Sequence, residues 1–363
     1  MGVVMGRTLF RYLFTAQLAA MGWLLLGVLA LIAMIDLTET TSRFGDVPGF
    51  TLARGLVLVA LHIPPLLEQV LPFAVLLASM IVLVRLNRRY ELVVARSVGV
   101  SAWQFLAPVA AASFLVGVLS LITLNPLAAA TLRWEDRLTA EMFGDGAPAG
   151  EERVWLRQIG DGGRYLIAAQ SALPDGRGLR RVTFYEIDSR GAMRSRLDAP
   201  LARLADGQWV LSGATRNSAG RPPESLAEIR IPTPILPETV AQRATVPEAT
   251  SFPALPARIA ALSRLGLPTE PFTMQFHSAL TRPVLFVAMT LIAGTVSLRF
   301  ARFGQARTVV LGGLGAAFAL YVVTVLVRAF GSSGLVAPVV AAWTPVLAAL
   351  FLGAAILLRT EDG

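Results

Sequence analysis

Glu91 is a lone carboxylate among arginines, in a short segment, Arg85 to Gly99 (RLNRRYELVVARSVG), between two long apolar stretches. Leu92, Val93 and Ala95 keep the segment partly apolar amid Arg88, Arg89 and Arg96. That pattern suits a short helix over 87–99, lying at the membrane surface and pressed against another protein. A carboxylate presented from such a helix can form a charge-assisted pair with a basic group on the partner, which transmits direction as well as force. The plainer alternative is a local pair between Glu91 and Arg88, one turn earlier.

Little else in the chain could perform covalent chemistry. All 32 basic residues are arginine, cysteine is absent, and the only histidines are His62 and His277. Without lysine there is no Walker-A lysine, Schiff base or Ser–Lys dyad, so ATP binding by a P-loop is excluded. Without cysteine, and with two distant histidines, thiolate and histidine-rich metal sites are excluded, and no cofactor is expected. Gly331-Ser332-Ser333-Gly334 fits the G-x-S-G pattern of rhomboid-type intramembrane proteases, with His277 as a general base. The order opposes that reading, since serine precedes histidine there, and a Gly/Ser turn between apolar stretches needs no further explanation.

Glu68 is the one acidic residue well inside an apolar stretch. A carboxylate in lipid costs about 2.5–3.5 kcal/mol on insertion scales, so it should face a cavity or a partner helix. Pro64, Pro65 and Pro72 surround it and are expected to break or displace that part of the span. Arg282 and Arg328, at the outer ends of apolar stretches, are expected to snorkel to headgroups.

Composition places these residues in a membrane. The 363 residues are 55% hydrophobic and 15% charged, with mean hydropathy +0.62. Six stretches can cross a hydrocarbon core about 30 Å thick. They are Tyr12–Ile35, parts of Leu56–Val84 and of Ser101–Leu127, Thr273–Leu298, Thr308–Val327 and Val336–Leu358. The first is read as a retained helix, because a signal peptide would have a shorter apolar region ending at a small-residue cleavage site. Arg7 and Arg11, the arginines of 85–96, Arg299, Arg302, Arg307 and Arg359 all fall on one side. The opposite short loops hold Arg43, Arg54 and Arg328, with Asp36, Glu39 and Asp46 offsetting them. The positive-inside rule therefore puts both termini in the cytoplasm. The net charge of +8 belongs to these loops rather than to a nucleic-acid surface.

Three parts follow: helices with the surface segment over 1–132, a domain outside the cytoplasm over 133–268, and helices again over 269–363. The middle part alternates apolar and polar positions in short runs, Arg153–Gln158, Arg164–Ala168, Arg181–Asp188, Gln208–Ser212 and Glu228–Pro232, punctuated by Gly, Asp and Pro. Period-two alternation with such turns predicts an antiparallel β domain, a sandwich or jelly roll. Residues 246–268 read as a linker followed by a short helix.

Three helices, a β domain and three helices, with RRYELVVARSVGVS between the second and third, resemble the lipopolysaccharide export permeases of the LptF/LptG family. The similarity runs nearly end to end, through IPPLLEQVLPFAVLLA (63–78), RLNRRYELVVARSVGVS (85–101), SALTRPVLFVAMTLIA (278–293) and LVAPVVAAWTPVLAALFLG (335–353). The last two segments look more like the LptG branch. The resemblance implies an α-helical membrane protein with six transmembrane helices (3+3) and an inserted periplasmic β-jelly-roll domain, multi-pass in a bacterial inner membrane. It implies a permease subunit of an ATP-driven exporter, with hydrolysis on a separate cytoplasmic subunit. Implied partners are an LptF-type second permease, two copies of an LptB-type ATPase, a single-span LptC-type jelly-roll protein and lipopolysaccharide itself. A force-transmitting permease with another substrate, and a membrane scaffold without transport, are the alternatives.

Residue by residue, the resemblance gives Glu91, Leu92, Val93 and Arg88 to ATPase coupling. Arg133 matches a basic family position at the same distance from the proline, here Pro126, with Arg137 one turn later; both are expected to hold lipid headgroups. The first span departs from the pattern. Ala33, Asp36, Glu39 and Thr40 stand where LptG-type relatives often carry lysines, leaving Arg43 or Arg54 as substitutes, and Asp136 stands at another position often basic in relatives. Val182 and Phe184 share one face of a predicted strand, Trp209 and Leu211 one face of another. An export jelly roll must shelter acyl chains, so one such face is expected to line an open-sided groove rather than a sealed core.

Overall fold

The computed structural model describes residues 6–45, 50–143, 154–160, 163–173, 177–188, 192–218, 222–237, 240, 247–264, 268–299 and 306–361. The chain divides into a helical unit, Met1–Glu39, Gly55–Glu135 and Pro247–Gly363, and a second unit, Thr40–Arg54 and Asp136–Val246.

The helices are α1 (Arg7–Phe44), α2 (Leu52–Arg88), α3 (Glu91–Ser97), α4 (Ala102–Leu119), α5 (Asn125–Phe143), α6 (Leu255–Arg264), α7 (Glu270–Arg299), α8 (Ala306–Ser332) and α9 (Pro338–Glu361). One wide π turn, Ser120–Leu124, fuses α4 and α5 into a single span. Among the described residues, six helices are then long and apolar enough to cross a membrane. α2 runs unbroken through Pro64, Pro65 and Pro72, against the expectation of a break. In a membrane bundle, neighbouring helices and local adjustments can satisfy the carbonyls that such prolines free.

Within the helical unit, α7 packs against α4, α6, α8 and α9. Its crossing with α4 needs glycine: a Cβ on Gly117 would lie 2.5 Å from the Cα of Pro283. Small residues at such crossings let backbones approach where lipid provides no hydrophobic drive. Met21, Leu76, Met80, Phe286 and Met289 fill the resulting core.

The second unit is built on six strands, β1 (Val154–Gly160), β2 (Gly163–Ala172), β3 (Gly178–Ile187), β4 (Met193–Ala205), β5 (Gln208–Ser218) and β6 (Glu224–Pro232). Among the described residues they pair antiparallel in sequential order as one sheet. Alternation in the sequence marks five of them and misses β4. The reason is a slip of phase. The inward residues of β4 are Ser195, Leu197 and Ala199, then Ala202 and Leu204; those of β3 are Leu179, then Val182 and Phe184; those of β5 are Trp209 and Leu211, then Ala214.

The skips fall at Arg181, Pro200 and Gly213, which lie side by side in the register. Arg181 has φ 45° and Gly213 φ 63°, and Pro200 has no N–H to give the ladder. The register runs on unshifted through this row, so it is a crease rather than a bulge: a proline that gives the ladder no hydrogen bond lies between two positive-φ residues. This crease helps one sheet wrap its own core, and Gln158 of β1 donates to the Pro232 carbonyl at the end of β6 at 2.5 Å, joining the two edges.

Replacing Gly213 with Val forces a β-branched residue into the left-handed region, costing about 1–2 kcal/mol. Amide exchange in β4 and β5 should accelerate by about 5–30-fold. Unchanged exchange would mean the crease does not need its glycine.

Candidate coupling helix and lipid-facing sites

α3 is shorter than the expected 87–99 helix because its ends are broken by backbone geometry. Tyr90 takes φ 59° between α2 and α3, and Gly99 takes φ 88° after it. α4 then opens with a capping box: Ser101 accepts from the Gln104 amide, and the Gln104 side chain accepts from the Ser101 amide, both at 3.2 Å.

Leu92 is 4% exposed and points into the chain itself, packing with Leu13 of α1, Val82 and Leu86 of α2, and Phe105 and Val109 of α4. This corrects the expectation that Leu92 presses on another protein. A seven-residue helix has too few turns to hold itself, and Leu92 is what roots it. The outward apolar residues are instead Tyr90, Val94 and Val98, each more than 60% exposed. Sequence reasoning missed them because α3 follows a left-handed corner that rotates its faces. Glu91 is half-buried and, among the described residues, has no hydrogen-bond or ion-pair partner; the local pair with Arg88 does not form. The side chain of Val93 lies outside the described part of the structure.

On α5, Arg133 and Arg137 are both exposed, one turn apart. Arg133 donates to the Ala249 carbonyl at 2.8 Å. The side chains of Arg43 and Asp136 lie outside the described residues. Nearby in the helical unit is a cluster the sequence did not announce. His62 Nδ1 lies 2.8 Å from Asp36 Oδ2, and its Nε2 lies 3.2 Å from Glu135 Oε1. Both ring nitrogens face carboxylates, so only the doubly protonated ring can donate to both. Through His62 of α2, Asp36 on α1 and Glu135 on α5 are tied together.

Deeper in the bundle, Arg282 donates to both Glu68 oxygens, at 2.6 and 3.3 Å, and to Ser120 Oγ at 3.3 Å. Both charged side chains are at least 85% covered, so Arg282 does not snorkel and Glu68 finds a partner helix. Arg328 likewise donates to Glu248 at 3.0 Å and to Gln275. The protease reading fares badly. Ser332 and Ser333 give their hydroxyl protons to the carbonyls of Ala329 and Phe330, one turn back, and neither pairs with His277.

In the sheet, Val182, Phe184, Trp209 and Leu211 share one interior, each no more than 1% exposed. The face expected to be an open-sided groove is therefore a packed core in this structure. Phe184 meets Trp209 edge-on at 6.2 Å and Tyr165 at 6.1 Å. Burial, reinforced by Glu186, raises the Tyr165 phenol above its ordinary range and keeps it neutral.

The profile of the family described as lipopolysaccharide export system permease LptF/LptG matches residues 11–359, spanning both sets of helices and the sheet. The chain belongs to the LptF/LptG family. No curated protein sequence matches it. An LptF/LptG chain is a permease subunit rather than an enzyme, a multi-pass inner-membrane protein that serves lipopolysaccharide export with other Lpt components.

In this LptF/LptG permease the Glu68–Arg282 pair joins helices from opposite ends of the sequence. Removing one member strands the other, whereas replacing both with apolar residues is far less costly. Glu68→Ala should cost about 3–5 kcal/mol of stability, read as a lowered thermal midpoint in detergent. The double change Glu68→Leu with Arg282→Met should recover most of it. Equal midpoints for wild type and Glu68→Ala would remove the pair from any structural role.

Proposed function

We propose that this chain is a permease subunit, of the LptG type, in an ATP-driven exporter that extracts lipopolysaccharide from the inner membrane and hands it to a periplasmic jelly-roll bridge. The observation that carries this reading is α3. One buried leucine roots it into α1, α2 and α4, while Glu91, Tyr90 and Val94 remain available to a partner. In this reading both termini and α3 face the cytoplasm and the sheet is periplasmic, in keeping with the arginine distribution. One of two LptB-type ATPase subunits docks on α3, an LptF-type permease completes the cavity above the pair, and an LptC-type jelly-roll protein continues the bridge.

Each residue then takes a role in this reading. Glu91 pairs with a basic group of the ATPase, flanked by Arg88 and Val93, and Leu92 passes the displacement into the bundle. Arg133 and Arg137, with Arg43, hold the phosphates and carboxylates of the lipid, for which planar guanidinium donors are suited. Val182, Phe184, Trp209 and Leu211 offer an apolar path for acyl chains. Their core is closed at rest, so passage requires the β1–β6 edges, held by Gln158, to part.

Glu91→Lys turns attraction into repulsion and should weaken co-purification of the ATPase by at least about tenfold, or uncouple its turnover from lipid release. Glu91→Ala should be milder, because Leu92 still roots the helix. Wild-type assembly and transport in the lysine variant would rule out the lever.

A photocrosslinker replacing Phe184 or Trp209 should capture lipopolysaccharide only when ATP is supplied to the full complex. Capture at Arg133 but never at these interior positions would mean that the lipid bypasses the sheet.

A further inference from the structure

A cleft of about 590 Å³ opens between α1 and α2, at the end of α2 that leads into α3. Its floor is wholly apolar: Leu24 from α1, and Leu77, Met80, Ile81 and Val84 from α2. Its rim is wholly basic: Arg85, Arg88 and Arg89. Among the described residues, no acidic side chain lines it. All three arginines are exposed, and among the described residues their guanidinium groups make no hydrogen bond or ion pair. Other arginines of the helical unit are engaged: Arg133 with a carbonyl, Arg282 with Glu68, Arg328 with Glu248.

This combination narrows the occupant. A hydrophobic slot of this size falls in the range of small-molecule sites, and a water-filled apolar slot in a membrane helix pair is unfavourable next to lipid. Three unpaired guanidinium groups at its mouth call for an anion, and planar forks match phosphate oxygens better than any single point charge. An apolar tail joined to an anionic head is the chemistry of an acidic glycerophospholipid, and basic pockets between membrane helices on the cytoplasmic side bind such heads. A soluble anion would leave the slot empty, and a zwitterionic lipid would set its ammonium against the rim.

We propose that this cleft is a binding site for an anionic glycerophospholipid of the cytoplasmic leaflet, one acyl chain lying along Leu77 and Ile81 and its phosphate held by Arg85, Arg88 and Arg89. The leaflet, though not the binding, rests on the orientation proposed above. The bound phosphate lies within two residues of Glu91, so the lipid stiffens the corner at Tyr90 through which α3 joins α2. Anionic lipid is thereby a positive regulator of coupling.

The test is native mass spectrometry of the full chain in detergent, titrated with phosphatidylglycerol and phosphatidylcholine of identical acyl chains. Wild type should retain phosphatidylglycerol at least about tenfold more tightly. Arg85→Gln with Arg89→Gln should bring that preference close to unity, leaving Arg88 and Glu91 in place. Leu77→Trp, with every arginine intact, should fill the slot and abolish retention. Equal retention of the two lipids by wild type overturns the proposal. So does displacement by glycerol 3-phosphate at the same concentration, which would reduce the rim to an anion patch. Loss of the lipid on assembly with a second permease also overturns it, because the cleft would then be a subunit interface.

Orientation is read separately. Ser97→Cys, in a chain with no native cysteine, should resist a membrane-impermeant maleimide in intact spheroplasts and react once they are opened. Labelling in intact spheroplasts would overturn the cytoplasmic leaflet while leaving lipid selectivity in detergent untouched.

Discussion

Hydrocarbon offers no water to a stranded polar group, so polar side chains in the spans bond either to carbonyls of their own helix or to partners on another. α7 satisfies this constraint twice. Its Thr290 donates to Ser113 at 2.8 Å, within a fully buried knot in which Gln17 donates to Ser79 at 2.9 Å and to Ser113 at 3.3 Å. Its Arg282 reaches Glu68 and Ser120. Through these contacts one helix from the second half of the chain ties together α1, α2 and α4 from the first. A single interhelical hydrogen bond in a membrane averages about 0.6 kcal/mol, which is modest. The cost of leaving Arg282 or Glu68 alone is several times larger. The ion pair therefore fixes the pairing, and the hydroxyl knot refines its register.

The short helix α3 inherits its rigidity from that bundle. Leu92 of α3 packs on Leu13 of α1, and Gln17 of the buried knot follows one turn later on the same helix. Close-packed interiors deform little, so α3 and α1 are held together as one packed body. The same arrangement explains why Val94 of α3, with Tyr90 and Val98 just beyond its ends, can stay exposed without unseating the helix. At its far end α1 is held again by Asp36 and His62. Between these anchors the exposed Trp23, Leu26 and Leu31 face whatever surrounds the chain.

The sheet solves a different problem. A single twisted sheet normally leaves one face needing a cover, and here the crease at Arg181, Pro200 and Gly213 lets it cover itself. Trp209 and Phe184 then fill the fold, with Val240 from beyond β6. A core closed by the sheet's own edges, with one side-chain hydrogen bond from Gln158 across them, is stable at rest and has an obvious line along which to part.

Six spans, an inserted β domain and a charged segment between the second and third spans were all legible in the chain before any fold was known. These depend on long apolar runs, period-two alternation and arginine distribution, all local in the chain. β4 escaped because alternation is readable only while its phase holds, and Pro200 resets it. The unbroken α2 escaped because three prolines weaken a helix locally, and only the surrounding helices decide whether it survives. Glu68, Arg282, His62 and Asp36 were visible as isolated charges, but their partners lie 26 to 214 positions away and no local pattern names them. The inward turn of Leu92 likewise depends on the left-handed corner at Tyr90 and on helices distant in sequence. Tertiary structure alone decided which charges became pairs, which face of α3 was left free, and that the sheet's apolar face closed on itself, because burial is shared between segments that the sequence keeps apart.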